Sequence, residues 1–161
     1  MPKFIFAGLP IEDVQLKEKI RNFTIQVIKS MDCEDSCYHM EAFLNDNDEL
    51  IFLEIGARPG GGGISKMYHT MYGIGLSQLH ASIISDCLSL KDYSKTKLKY
   101  ALWMECATGF DISALNLQGE ISEFITPISH VLIVSGNNKD QIKNDFNNIV
   151  EYSKKVINAL K

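Results

Sequence analysis

No apolar run in this 161-residue chain approaches the roughly 20 residues needed to cross the hydrocarbon core of a bilayer. The opening MPKFIFAGLP is too short and too weakly charged for a secretory leader, so a cytoplasmic setting is the expectation. Basic charge is also scarce. Sixteen Lys and Arg stand against 20 Asp and Glu, giving a formal charge of −4, and the cations are spread along the chain instead of massed on one segment. Nucleic acid is therefore not an expected partner. The 4 cysteines lack the spacing of a disulfide framework and read as reduced thiols. Cys33, Cys37 and His39 offer three zinc donors where structural zinc sites take four. Low-complexity tracts, internal repeats and flexible linkers are missing too, which leaves a compact globular chain, 45% hydrophobic and 22% charged.

What is present is a sequence of helical and strand periods. Leu16, Ile20, Phe23 and Val27 recur at helical spacing after the acidic pair Glu12 and Asp13, predicting a helix of about five turns. CYHMEAFL and LIFLEIG read as strands joined by NDNDE, a β-hairpin. GLSQLHASIISDCL, with Leu76, Leu79, Ile83 and Ile84 at helical period, predicts a helix buried against the hairpin. Beyond about Asp92 the segments KYALWMECAT, GEISEFI and HVLIVSG read as strands, with Trp103, Met104 and Phe110 as core residues. A terminal helix over 138–161 follows. Its apolar face holds Ile142, Phe146, Ile149, Ile157 and Leu160, and Asn138 with Gln141 resembles a capping box. The fold class is α+β, with a soft boundary near residue 90 dividing 1–90 from a small α+β unit at 91–161.

The hairpin carries the chemistry. With Asn45 facing Leu50 across the loop 46–49, alternation puts Met40, Ala42, Leu44, Ile51, Leu53 and Ile55 on one face. His39, Glu41, Phe43, Phe52, Glu54 and Gly56 fall on the other. Glu41 then lies opposite Glu54, with Cβ atoms about 5 Å apart. Two carboxylates so placed either share a proton or bind a cation, and Mg²⁺ favours one or two protein carboxylates with water and phosphate completing its shell. The alternative is an acidic sheet face that is merely solvated. Arg58, just past the strand, is placed to engage phosphate or carboxylate oxygens bidentately, or else to pair with one of the glutamates. The glycines 60–63 fit neither a P-loop nor a dinucleotide fingerprint. They offer either backbone that approaches an anion closely or simply the conformations a turn needs. None of His39, His69, His80 and His130 is paired by sequence with a carboxylate that would orient it, and structural roles are expected. His39, which shares the face of Glu41, is the nearest to an exception.

Together, YHMEAFL…LIFLEIGARPGGGGI resembles the C-terminal half of the ATP-grasp fold, in the branch of carboxylate–amine ligases that contains the amino-acid and dipeptide ligases. The resemblance covers about residues 10–90 and rests on a His-x-Glu strand, a hairpin, Glu-x-x-x-Arg and a glycine-rich loop. It implies an antiparallel sheet with flanking helices followed by a small C-terminal subdomain. It implies Glu41 and Glu54 as ligands of Mg²⁺ (or Mn²⁺), Arg58 as the arginine steadying the transferred phosphoryl group, and Gly60 and Gly61 beside ATP. Many members carry Asn where this chain has Gly56, so one metal contact departs from the pattern.

The family reaction phosphorylates a carboxylate with ATP and opens the acyl phosphate with an amine. The first ATP-binding half, with its phosphate-binding lysine and lid, has no counterpart before Glu41. The expectation is a C-terminal portion inactive alone, completed by an N-terminal half, or a non-catalytic module that self-associates.

Overall fold

The computed structural model describes residues 5–32, 36–86 and 99–158. Of these, 5–10, 61–75 and 99–158 form one compact unit and 11–32, 36–60 and 76–86 another. The boundary expected near residue 90 lies outside the described residues.

The first unit is a four-stranded antiparallel sheet with helices. Strands β1 (Ile5–Gly8), β4 (Tyr100–Ala107), β5 (Glu120–Ile125) and β6 (Ser129–Gly136) lie in the order β1-β4-β6-β5. The three C-terminal strands are those expected, but β1 is too short for alternation to show it in the sequence. Alternate residues of β4 and β6, namely Leu102, Met104, Cys106, Leu132 and Val134, build a fully buried cluster with Ile142 and Ile149 of helix α4 (Lys139–Asn158). Each such side chain contributes about 1.5–3 kcal/mol by leaving water. Met104 is fully buried, and Phe110 packs against the cluster from its edge. The side chain of Ile157 and all of Leu160 lie outside the described residues.

Helix α2 (Ile64–Tyr72), passed over in the sequence although Ile64, Met67, Tyr68, Met71 and Tyr72 recur at helical spacing, buries Met67 and Met71 with Ala101 and Ile133. Its neighbour on that face is Trp103, which is partly buried. At α4 the capping box is only half formed. Asn138 Oδ1 accepts from the amides of Asp140 at 2.9 Å and Gln141 at 3.3 Å, whereas the Gln141 side chain donates to Gln118 O at 2.7 Å.

The second unit holds α1 (Val14–Ser30), the hairpin β2 (His39–Leu44) with β3 (Leu50–Gly56), and α3 (Leu76–Ile84). Asp13 caps α1, its carboxylate accepting from Leu16 N at 2.7 Å. Ser36 Oγ and His80 Nε2, 3.0 Å apart, tie the approach to β2 to α3. The α3 expectation is corrected at its end: Ile84 is 66% exposed, not buried. Every fully buried side chain among the described residues belongs to the first unit. Among the described residues no helix is long and apolar enough to cross a membrane.

One buried charge fixes α4 in place. Asp145 is completely buried and accepts from Gln118 N and Gly119 N, both at 2.9 Å. A Cβ at Gly119 would stand 2.6 Å from Val134 Cγ1 on β6 and 3.1 Å from Ile142 Cδ1 on α4, so glycine lets the loop settle against both. Asp145→Ala strands both amides and is expected to lower unfolding free energy in urea by about 1–3 kcal/mol. A change below about 0.5 kcal/mol, the size of an ordinary surface substitution, would remove this anchor from the account.

Candidate functional site

The hairpin brings the two predicted carboxylates together. Glu41 pairs with Glu54, His39 with Gly56 and Met40 with Ile55. Nearer the turn the expected register is corrected by one residue: Leu44 faces Leu50, Phe43 faces Ile51 and Ala42 faces Phe52. The cause lies in Asn45. Its side-chain oxygen accepts from Asn47 N at 3.0 Å and Glu49 N at 2.8 Å, while its own amide donates to Glu49 O at 3.0 Å. Asp48 completes the tighter loop at φ 62°, a left-handed conformation that Asp tolerates. The residue gained by β3 is absorbed at an irregularity between the Glu41 and Ala42 pairs, where Leu53 has no partner. This bulge restores the opposition of Glu41 and Glu54. Between bulge and turn the shifted register stands, so Phe52 lies on the face of Met40 and Ala42 and Ile51 on that of the glutamates, reversing the predicted positions of both.

Around the dyad the electrostatics are sparse. His39 Nε2 lies 3.2 Å from Glu41 Oε1, so the histidine set apart in the sequence for sharing the face of Glu41 does meet that carboxylate. Glu54 is exposed and has no hydrogen-bond or ion-pair partner among the described residues. Arg58 pairs with neither glutamate; its Nη1 donates to Pro59 O at 3.1 Å. The expectation of an internal salt bridge at Arg58 is thereby set aside, and the guanidinium keeps donors to spare. A Cβ at Gly56 would lie 3.5 Å from Arg58 Cγ and Nε, an ordinary contact, so the arginine stem covers the place where a side chain would begin.

Two exposed carboxylates with one histidine contact suit a hard cation that takes most of its ligands from water and phosphate. They do not make a closed cage. Among the described residues no group of three or more His, Cys, Asp or Glu is gathered for a metal. Cys33 lies outside the described residues, and burial pushes the Cys37 thiol above its usual pKa, so the thiolate a zinc ligand needs is disfavoured.

The glycine run divides between the units: Gly60 belongs with the hairpin, and Gly61, Gly62 and Gly63 belong with the sheet. Gly62 has φ 55°. A Cβ on Gly63 would stand 2.7 Å from Trp103 Cβ and 3.2 Å from Val131 Cγ1. The geometric demand for glycine is therefore at Gly62 and Gly63, which let the start of α2 settle on β4 and β6.

The structure reveals a further histidine–carboxylate pair, His130 Nε2 and Glu123 Oε2 at 2.8 Å. Cys106 pairs with His130 across β4 and β6, so thiol, imidazole and carboxylate are neighbours. They do not form a nucleophilic triad. Cys106 Sγ donates to the His130 backbone oxygen at 3.5 Å, and burial, with Glu105 adding to it, pushes the thiol pKa up to about 11. A thiol so held is inert. The β5–β6 register brings Glu123 to His130, and the Thr126–Ser129 turn, where Thr126 N donates to Ser129 O at 2.8 Å, sets that register.

A scan of protein-family models and a search of curated protein sequences each returned no match. Solved structures do match. The L-amino acid ligase from Bacillus licheniformis aligns over 91% of this chain with a TM-score of 0.62 at 11% identity. The N5-carboxyaminoimidazole ribonucleotide synthetase from Thermotoga maritima aligns over 93% at 0.64 and 15% identity. The fold is that of the C-terminal portion of ATP-grasp ligases. Phosphoribosylglycinamide synthetase from Anaerococcus prevotii shares it over 92% of the chain, with a TM-score of 0.57 and 17% identity. The chain spans about 44% of the ATP-grasp ligases that it matches first. At these identities the likeness establishes fold, and the predicted α+β class with antiparallel sheets is the one observed.

Proposed function

We propose that this chain is the metal-holding portion of an ATP-dependent carboxylate–amine ligase that works through an acyl phosphate. The observation that carries the reading is the opposition of Glu41 to Glu54, which stands four residues before an Arg58 that has no carboxylate partner among the described residues, on an ATP-grasp fold. Glu41 and Glu54 would hold Mg²⁺, whose bound form neutralises phosphate charge during phosphoryl transfer. Arg58 would grip phosphoryl oxygens with the donors that Pro59 does not use. Gly60 and Gly61, adjoining in sequence, supply side-chain-free backbone for a phosphate. The protein need only position and neutralise, so no covalent nucleophile is required. A small carboxylate and an amine are the substrates, the setting is cytoplasmic, and the chain by itself turns over little.

A second reading is favoured by the hairpin's apolar side chains. Phe43 is 60% exposed, and Leu44, Ile51, Phe52 and Leu53 are 46–50% exposed. A surface of that kind is more usual at an interface than on a monomer. On this reading the chain retains the fold as a non-catalytic module and self-associates.

Calorimetric titration with Mg²⁺ and ATP tests the first reading. Glu41→Ala and Glu54→Ala are each expected to weaken binding at least about tenfold, the lower end of the loss seen even for outer-shell partners of metal ligands. In metal-free buffer both variants should melt no lower than wild type, because like-charge opposition is relieved. Unchanged binding in both variants would defeat the reading. For the second reading, light scattering after size exclusion is expected to show a dimer or larger species, and a monomer across the concentration range would count against it.

A further inference from the structure

Several exposed carboxylates lack a partner among the described residues, but one that does so while half-buried lies in the sheet unit, among aromatic side chains. Glu105 is half-buried on β4 and, among the described residues, makes no hydrogen bond and no ion pair. The register sets it in a row running Phe6, Glu105, Val131, Phe124 across the four strands, and Trp103 is two residues away on the same face. The glycine turn lies against it: a Cβ on Gly62 would be 3.1 Å from Glu105 Oε2 and 3.6 Å from Trp103 Cζ3. Gly62, at φ 55°, is held where a side chain would be strained as well as crowded.

The nearby cation is already engaged. Lys66, on α2, holds its ammonium 3.8 Å from the centroid of the Phe124 ring at the far end of the row. It does not pair with Glu105. The turn also begins α2, whose partial positive charge favours a carboxylate there, yet none of its amides donates to Glu105. What remains is a negative charge with aromatic residues and apolar surface beside it, the chemistry that recognises an organic ammonium ion.

The geometry points to Glu105, with Trp103 and Phe6 beside it under the Gly62 turn, as a binding site for a primary ammonium group carried on a small apolar body. The carboxylate takes the ammonium N–H groups, and the rings take the adjoining carbon atoms. As the subsite of the amine reactant it rests on the ligase reading; as an ammonium site it does not.

Trp103 is the only tryptophan in the chain, so its fluorescence reports on this site alone. The probe is n-butylammonium chloride, with n-butanol as the uncharged analogue and sodium chloride matching ionic strength, all without Mg²⁺ or ATP. Wild-type protein is expected to give a saturable change with butylammonium and a midpoint at least about tenfold higher, or no saturation, with butanol. Glu105→Gln, checked by circular dichroism, should raise the butylammonium midpoint at least about tenfold. Equal responses to butylammonium and butanol in wild type would overturn the site whether or not the variant folds, as would an unchanged midpoint in folded Glu105→Gln. The titration contains no nucleotide and the Mg²⁺–ATP calorimetry contains no amine, so either proposal can fail while the other stands.

Discussion

Like charges placed face to face across a β-ladder destabilise it, and Glu41 and Glu54 are so placed. The hairpin reaches this arrangement by a specific route. Asn45 ties a tight turn, that turn shifts the pairing by one residue, and the bulge at Leu53 shifts it back just before Glu54. Without the bulge Glu54 would turn to the opposite face and the dyad would not exist. A local irregularity thus sets the one electrostatic feature from which the functional reading follows, as bulges beside functional sites commonly do.

The two units are built to different standards. The sheet unit has a dry core, close-packed glycines at Gly63 and Gly119, and in Asp145 a buried charge satisfied by two amides. The hairpin unit, by contrast, has no fully buried side chain among its described residues. Its helix α1 is amphipathic, but Leu16, Ile20, Phe23 and Val27 are only partly covered. Its cross-element ion pair, Lys19 with Asp48 at 2.6 Å, is exposed and of the kind worth little. Local opening is expected to be easiest where buried apolar contact is least, so the proposed metal site stands on the less stable unit.

Much of this was legible in the sequence because it depends on local rules. Alternation and turn composition located the hairpin and put Glu41 opposite Glu54; helical periods located α1, α3 and α4; apolar runs located β4 to β6. What was not legible depends on contacts between distant residues or on elements too short for a period. β1 has four residues and is a strand because β4 pairs with it. α2 does carry a helical period, in Ile64, Met67, Tyr68, Met71 and Tyr72, but holds it for only nine residues just after a glycine run, and it was passed over. The requirement for Gly62 and Gly63 comes from Trp103, far along the chain. At the turn, the Asn45 side chain overrode the simplest symmetric register, which is why Phe52 and Ile51 exchanged faces while the glutamates did not.

The central claim is that the acidic face of the hairpin, and not the acidic surface in general, holds a divalent metal. Paramagnetic line broadening by Mn²⁺ in the nuclear magnetic resonance spectrum of the isotopically labelled chain tests it directly. Substoichiometric Mn²⁺ is expected to broaden first the backbone amides of Glu41, Glu54 and Gly56, with those of Glu120, Glu123 and Asp140 retained. Broadening that reaches Glu120, Glu123 and Asp140 at the same Mn²⁺ concentration, or that spares Glu41 and Glu54, would contradict the account.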